Sequence, residues 1–268
     1  MIQEQQCQEV KMVKVQASPQ HNYYLDGIKK DNLDYLKHEV LKKDWDGFIV
    51  YDGLEGSGKS TMAFQDAMYL DSTFNLDRVV FTIEQFVEAS EKAERGQAIV
   101  FDETMGYLGS RGAMSKFNRM LIKIFSEMRS KNLFILLCIP SFFELDKYPA
   151  IHRSVALFHI HKRGHFCCYN HTKKKLLYIY GKKYYSYSKP TADFVGRFVK
   201  YFPLDKEAYE RKKQEGIKLF QDAKEREKNL QKQRDVLIKY CFDNKLMGLK
   251  PLSETVGLSE MQIRRILT

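Results

Sequence analysis

The chain has 268 residues, of which 44% are hydrophobic and 29% charged, so it can bury a real core and is not a disordered polyelectrolyte. Forty-four Lys and Arg against 34 Asp and Glu leave a formal charge of +10, which favours a polyanionic partner, nucleic acid before an anionic membrane surface. No apolar run reaches the roughly 18 residues of a transmembrane helix, the N-terminal stretch lacks the apolar core of a secretory signal, and five scattered cysteines suit a reduced compartment, so the expected location is cytoplasmic.

In chain order, the first twenty or so residues are polar and read as an arm or an edge strand. Asp31–Lys43 carries Leu33, Leu36, Val40 and Leu41 near helical spacing. Asp46–Asp52 is a buried strand, Gly53–Ser60 a glycine-rich turn, and Thr61–Tyr69 a helix. Val79–Thr82, Ala98–Phe101 and Leu133–Ile139 are further strands. The helices Ile83–Lys92 and Ser115–Met128 separate them. Continuous apolar strands alternating with helices imply an α/β fold with a mainly parallel sheet covered on both faces. Val155–Tyr187 reads as three β-rich runs, a basic β-meander extending the sheet. Asp205–Lys232 is highly charged and reads as an exposed helix or linker. The domain plan is therefore 1–45 (arm and helix), 46–203 (core with meander), 204–232 (charged linker) and 233–268 (small helical unit).

The turn GLEGSGKS fits G-x-x-x-x-G-K-[ST], the loop that wraps its backbone N–H groups around a polyphosphate. Gly53, Gly56 and Gly58 permit the tight path, and Leu54, Glu55, Ser57 and Thr61 complete the cradle. Lys59 is placed to reach the β- and γ-phosphates of ATP, and Ser60 to offer its hydroxyl to Mg²⁺. About 40 residues on, AIVFDE delivers Asp102 to the carboxyl edge of the sheet as a second Mg²⁺ ligand, with Glu103 beside it as the base for an attacking water. An acid directly after the magnesium aspartate points to ATP hydrolysis rather than transfer to a small acceptor.

The Gly53–Ser60 loop, the Asp102–Glu103 pair and the helix and strand that follow resemble the additional-strand, catalytic-glutamate P-loop ATPases. Within these, VVFTIEQFVEASEKAERGQAIVFDE and MRSKNLFILLCIPSFFELDKYPAIHRSV are similar to the FtsK–HerA side. They resemble in particular zonular-occludens-toxin-like ATPases of mobile elements and, more distantly, phage DNA-packaging ATPases. The resemblance covers Asp46–Val155 and implies a RecA-like core, ATP and Mg²⁺ as cofactors, and assembly into a ring-like oligomer with an arginine acting in trans. Arg129 is ranked first for that role, ahead of Arg153, Arg111 and Arg119. A polar sensor, commonly glutamine, ends the strand after the catalytic pair in such proteins; here Ser141 is the nearest polar residue.

The tail KPLSETVGLSEMQIRRILT reads as a helix-turn-helix. Pro251 opens the first helix, Gly257 makes the turn, and Ser259 with Gln262 forms a capping box for the second. Leu252, Val256, Leu258, Ile263 and Ile266 face inward, and a helix over Asp235–Phe242 completes a trihelical unit. Gln262, Arg264, Arg265 and Thr268 face outward, toward DNA or, on the alternative, with the hairpin docking on protein. Lys173, Lys174 and Lys175 with the nearby tyrosines form a second basic-aromatic cluster, either a DNA surface or a solvated strand. His159, His161, His165 and His171 lie beside Cys167 and Cys168, but their spacing fits no common zinc pair, and they read as strand and turn residues. The sequence thus implies a DNA-coupled ATPase. A DNA-bound nucleotide switch or loader and a nucleotide-binding protein-interaction module are the rivals.

Overall fold

The structure, a computed structural model, describes residues 11–43, 45–102, 117–122, 124–125 and 131–267. The chain divides into two compact units, Met1–Gly216 and Ile217–Thr268.

The first unit is α/β. Strands β1 (Met12–Ser18) and β2 (His21–Asp26) form an antiparallel hairpin, so the expected N-terminal arm is a two-stranded sheet of its own. Helix α1 (Gly27–Lys42) starts four residues before the expected Asp31, because Asp26 caps it by accepting from the Lys29 N–H at 3.0 Å. Strand β3 (Gly47–Gly53) is buried at every position and leads through the glycine turn into α2 (Lys59–Leu70). Strand β4 (Val79–Val80) precedes α3 (Ile83–Lys92), which opens on a capping box between Thr82 and Gln85. Strands β5 (Ala98–Phe101), β6 (Phe134–Ile139), β7 (Ala156–Lys162) and β8 (His165–Tyr169), helix α4 (His171–Gly181) and strand β9 (Phe194–Arg197) complete the unit.

The main sheet has seven strands in the order β4-β5-β6-β3-β7-β8-β9. The first five are parallel, and β8 and β9 extend them antiparallel. Apolar residues on both faces explain the continuous runs. Ile49 and Tyr51 of β3 join the core shared with α2, while Phe48 packs at 4.6 Å on Phe125 and Phe101 at 5.4 Å on Phe117, from the helical residues 117–122 and 124–125.

The expected third run of the meander is a helix. HTKKKLLYIYG forms α4, capped by Asn170, whose side chain accepts from Lys173 N at 3.0 Å. Lys174, Leu177, Tyr178 and Gly181 are its buried face, a spacing of helical period that outweighs the β-propensity of tyrosine. The third antiparallel strand is instead β9, beyond the tyrosine-rich turn.

The charged stretch after Asp205 and the expected helix at Asp235 are one helix, α5 (Lys206–Asp243). In the second unit its end joins α6 (Leu249–Val256) and α7 (Glu260–Leu267) around a core of Ile238, Leu252 and Ile263. Gly257 ends α6 in the left-handed conformation at φ 66°. The Ser259–Gln262 box forms: Gln262 N donates to Ser259 Oγ at 3.3 Å, and Gln262 Oε1 accepts from Ser259 N at 2.9 Å. Pro251 is the third residue of α6 rather than its first, still within the turn whose N–H groups lack helical partners.

Candidate phosphate site

The glycine turn lies at the carboxyl edge of the sheet, where β3 gives way to α2. Gly53, Gly56 and Gly58 take φ values of 142°, 72° and 103°, conformations that disfavour a side chain. A Cβ on Gly53 would also stand 2.4 Å from the Ile160 carbonyl oxygen, and one on Gly58 would stand 3.0 Å from the Phe198 ring. Gly58 is the N-cap of α2 and offers no side-chain acceptor, so the first N–H groups of that helix face the loop without a capping side chain. Ser57 is buried, and its hydroxyl has no hydrogen-bond partner among the described residues.

Lys59 folds back over the turn, donating to the carbonyls of Gly53 at 2.7 Å and Leu54 at 3.0 Å. Ser60 donates to Asp102 Oδ1 at 2.8 Å across a separation of 42 residues. Asp102 follows β5 directly and is buried, with its backbone N–H on Val80 O at 2.9 Å. Strand β6 lies between β3 and β5, so the contact spans the mouth of a neighbouring strand. Thr61 continues α2, and Leu54 and Glu55 are exposed at the tip of the turn.

Two residues that the sequence reading passed over belong to this edge. Tyr209, in the first turn of α5, donates to Asp102 Oδ2 at 2.6 Å. Burial and the neighbouring Asp102 carboxylate push its phenol well above the ordinary range, so it stays a donor. Its charged setting, KEAYERKK, hid it; the signal was an aromatic flanked by charges in a stretch otherwise read as solvent-exposed. Asp52, the residue before Gly53, is the other. It is fully buried, pairs with His159 Nδ1 at 2.9 Å, accepts from Phe142 N at 2.9 Å and accepts a hydrogen bond from the Tyr187 hydroxyl. The His159 and Tyr187 rings stack at 3.8 Å. A carboxylate on an otherwise apolar strand, immediately ahead of a glycine turn, was the legible clue.

Ser141 is at the end of β6 as expected, but its Oγ accepts from Phe143 N at 3.3 Å and so caps a short turn beside Asp52. Arg153 donates to Asp46 Oδ2 at 2.8 Å and lies 4.9 Å over the Phe125 ring, at the end of β3 remote from the loop. Arg119 is exposed. Glu103, Arg111 and Arg129 lie outside the described residues.

Of the basic residues expected on DNA, Lys174 is corrected. It has no exposed surface and donates to the carbonyls of Ala150 at 2.6 Å and Ile151 at 3.0 Å, closing the end of the wide turn Tyr148–Arg153. Lys173 is half-buried, donating to Ala192 O at 3.0 Å, and Lys175 is exposed. Arg264 and Arg265 are exposed on α7 and Gln262 is committed through Oε1 to its cap, while Thr268 lies outside the described residues. Cys167 Sγ is 3.5 Å from His161 Nδ1, and among the described residues no three His, Cys, Asp or Glu side chains form a group able to hold a metal ion. No described helix is long and apolar enough to cross a membrane. The chain matches no protein-family model and no curated protein.

Proposed function

We propose that this chain is a Mg²⁺-dependent P-loop ATPase that couples ATP hydrolysis to movement or remodelling of DNA, working as a ring-like oligomer. The observation that carries the reading is the Ser60–Asp102 contact at 2.8 Å beside a loop of three positive-φ glycines. A strand between the loop strand and the Asp102 strand is also what an additional-strand core implies.

The residues fit the group. The start of α2 without a capping side chain, the open face of Gly56 and the Ser57 hydroxyl, unpartnered among the described residues, offer a polyphosphate backbone and side-chain donors. Lys59 already bends over the loop, and a phosphate offers its ammonium a charged acceptor in place of two carbonyls. Ser60 and Asp102 would hold Mg²⁺. Bound there, the ion supplies charge neutralisation on the phosphate oxygens. Glu103, adjoining Asp102 in sequence, takes the proton of the attacking water under this reading, and Lys59 stabilises charge on the transferring group.

The DNA assignment rests on α6, Gly257 and α7 packing on Ile238 with Arg264 and Arg265 exposed, an arrangement suited to a helix in the major groove. The test is the steady-state ATPase rate with and without double- and single-stranded DNA, at low and moderate salt. Stimulation by DNA that salt suppresses supports a DNA-coupled motor. Hydrolysis indifferent to DNA, with DNA binding intact, favours a nucleotide switch instead. Absence of DNA binding makes the three-helix unit a protein-docking element.

A further inference from the structure

Both oxygens of the Asp102 carboxylate are held by donors of the chain: Oδ1 by Ser60 and Oδ2 by Tyr209. The first donor belongs to the phosphate loop's helix. The second belongs to α5, which continues to Asp243 and contributes Ile238 to the three-helix core.

The Tyr209 bond is built rather than incidental. The ring is buried and packs edge-on against Phe64 of α2 at 5.3 Å and against Phe202 at 5.3 Å. The start of α5 is fixed by Asp205 Oδ1, which accepts from Glu207 N at 2.9 Å, and by Lys212, which donates to Leu76 O at 2.7 Å. The segment leading into it also reads the loop. Phe198 is the residue that a side chain on Gly58 would meet, and Gln65 of α2 donates to the carbonyls of Val199 at 2.8 Å and Tyr201 at 2.7 Å. Residues 198–209 therefore touch the loop, the helix after it and the acid opposite.

A divalent cation and a phenol hydroxyl compete for the charge of one carboxylate: the cation draws on its oxygens, and the hydrogen bond to a neutralised carboxylate is weaker. We propose that Tyr209 is a positioning residue that couples the Asp102 cation position to α5, holding the carboxylate in the absence of the ion and yielding its bond when the ion is taken up. This inference rests on the ATPase reading above. In that reading it deepens the regulation of the same site, because the released element is the helix that leads into the DNA-binding unit.

The experiment uses the full chain and Tyr209→Phe, which keeps the ring contacts and removes only the hydroxyl. ADP is titrated calorimetrically with Mg²⁺ and, separately, with EDTA, and backbone amide exchange is followed over residues 206–216. Removing the competitor should tighten MgADP binding about tenfold or more, the worth of a hydrogen bond to a charged group, while ADP in EDTA binds as in the wild type. In the wild type, MgADP should speed exchange over 206–216; in the variant, exchange should be fast throughout and indifferent to MgADP. Equal MgADP affinity in both proteins, or weaker binding in the variant, overturns the inference and leaves the ATPase reading standing. A wild-type chain that binds neither MgADP nor ADP overturns both. If the variant does not fold, wild-type exchange decides alone: no change over 206–216 on adding MgADP overturns the inference.

Discussion

Lys29 and Asp66 meet at 2.6 Å with neither side chain exposed to solvent. Lys29 comes from α1 and Asp66 from α2, and Tyr51 of β3 donates to the second Asp66 oxygen at 2.9 Å. One carboxylate thus ties together the strand before the glycine turn, the helix after it and the helix covering both. Burial raises the Asp66 pKa, and the Lys29 ammonium opposes that rise. Lys29→Met strands the carboxylate and should cost about 3–5 kcal/mol in urea unfolding, whereas Lys29→Met with Asp66→Leu should recover most of the loss. A single-variant loss under about 1 kcal/mol contradicts the assignment of the pair as a lock.

Lys174 makes stability depend on pH. Burial lowers its pKa to about 7, and the neutral amine retains enough N–H donors for the Ala150 and Ile151 carbonyls. The unfolded chain keeps an ordinary lysine, so between about pH 7 and 10 it binds the proton that the folded chain has released, and stability rises with pH across that window. Relative to Lys174→Met, which cannot titrate, the wild type should gain about 2 kcal/mol from pH 7 to 9 in denaturant unfolding, the slope rising toward about 1.4 kcal/mol per pH unit by pH 8 to 9. A difference that stays flat over this range contradicts a lysine buried as the neutral amine.

The glycines of the loop are unequal. Gly53→Ala must overcome both φ 142° and a 2.4 Å approach to Ile160 O, so it should displace β7 and abolish nucleotide binding. Gly56→Ala meets nothing within 4 Å and should cost only about 1–2 kcal/mol of backbone strain, with binding retained. Calorimetry on the two variants checks the contrast, and equal behaviour contradicts it.

In the second unit, Ile263→Ala removes one of three core side chains and should lower that unit's stability by about 2–5 kcal/mol. Arg264→Ala should leave the fold intact and reduce the slope of log affinity against log salt for DNA by about one. An unchanged slope removes Arg264 from the phosphate contacts.

The α/β architecture was legible because β5 and β6 are unbroken apolar runs, β3 is one but for its terminal acid, and helical patterns separate them; in the tail, Ser259–Gln262 announces its cap. The Ser60–Asp102 contact was legible as a pairing of the glycine turn with an acid at the end of a later apolar strand, both ending on one edge of a parallel sheet. Helix α4 was misread since its tyrosines and lysines read as strand residues, and only the burial of Lys174, Leu177, Tyr178 and Gly181 reveals the helical face. A buried lysine looks like an exposed one in sequence, because the carbonyls of Ala150 and Ile151 that satisfy it are set by tertiary packing. Tyr209 and Asp52 escaped for the same reason: their partners, Asp102 and His159, lie 107 residues away in each case.

The most direct test of the account is equilibrium titration of MgADP into the full chain beside Lys59→Ala and Asp102→Asn. The account expects saturable binding of one nucleotide per chain in the wild type, loss of that binding in Lys59→Ala, and loss of its Mg²⁺ dependence in Asp102→Asn. Wild-type affinity in Lys59→Ala, or no nucleotide binding by the wild type, contradicts the phosphate site itself.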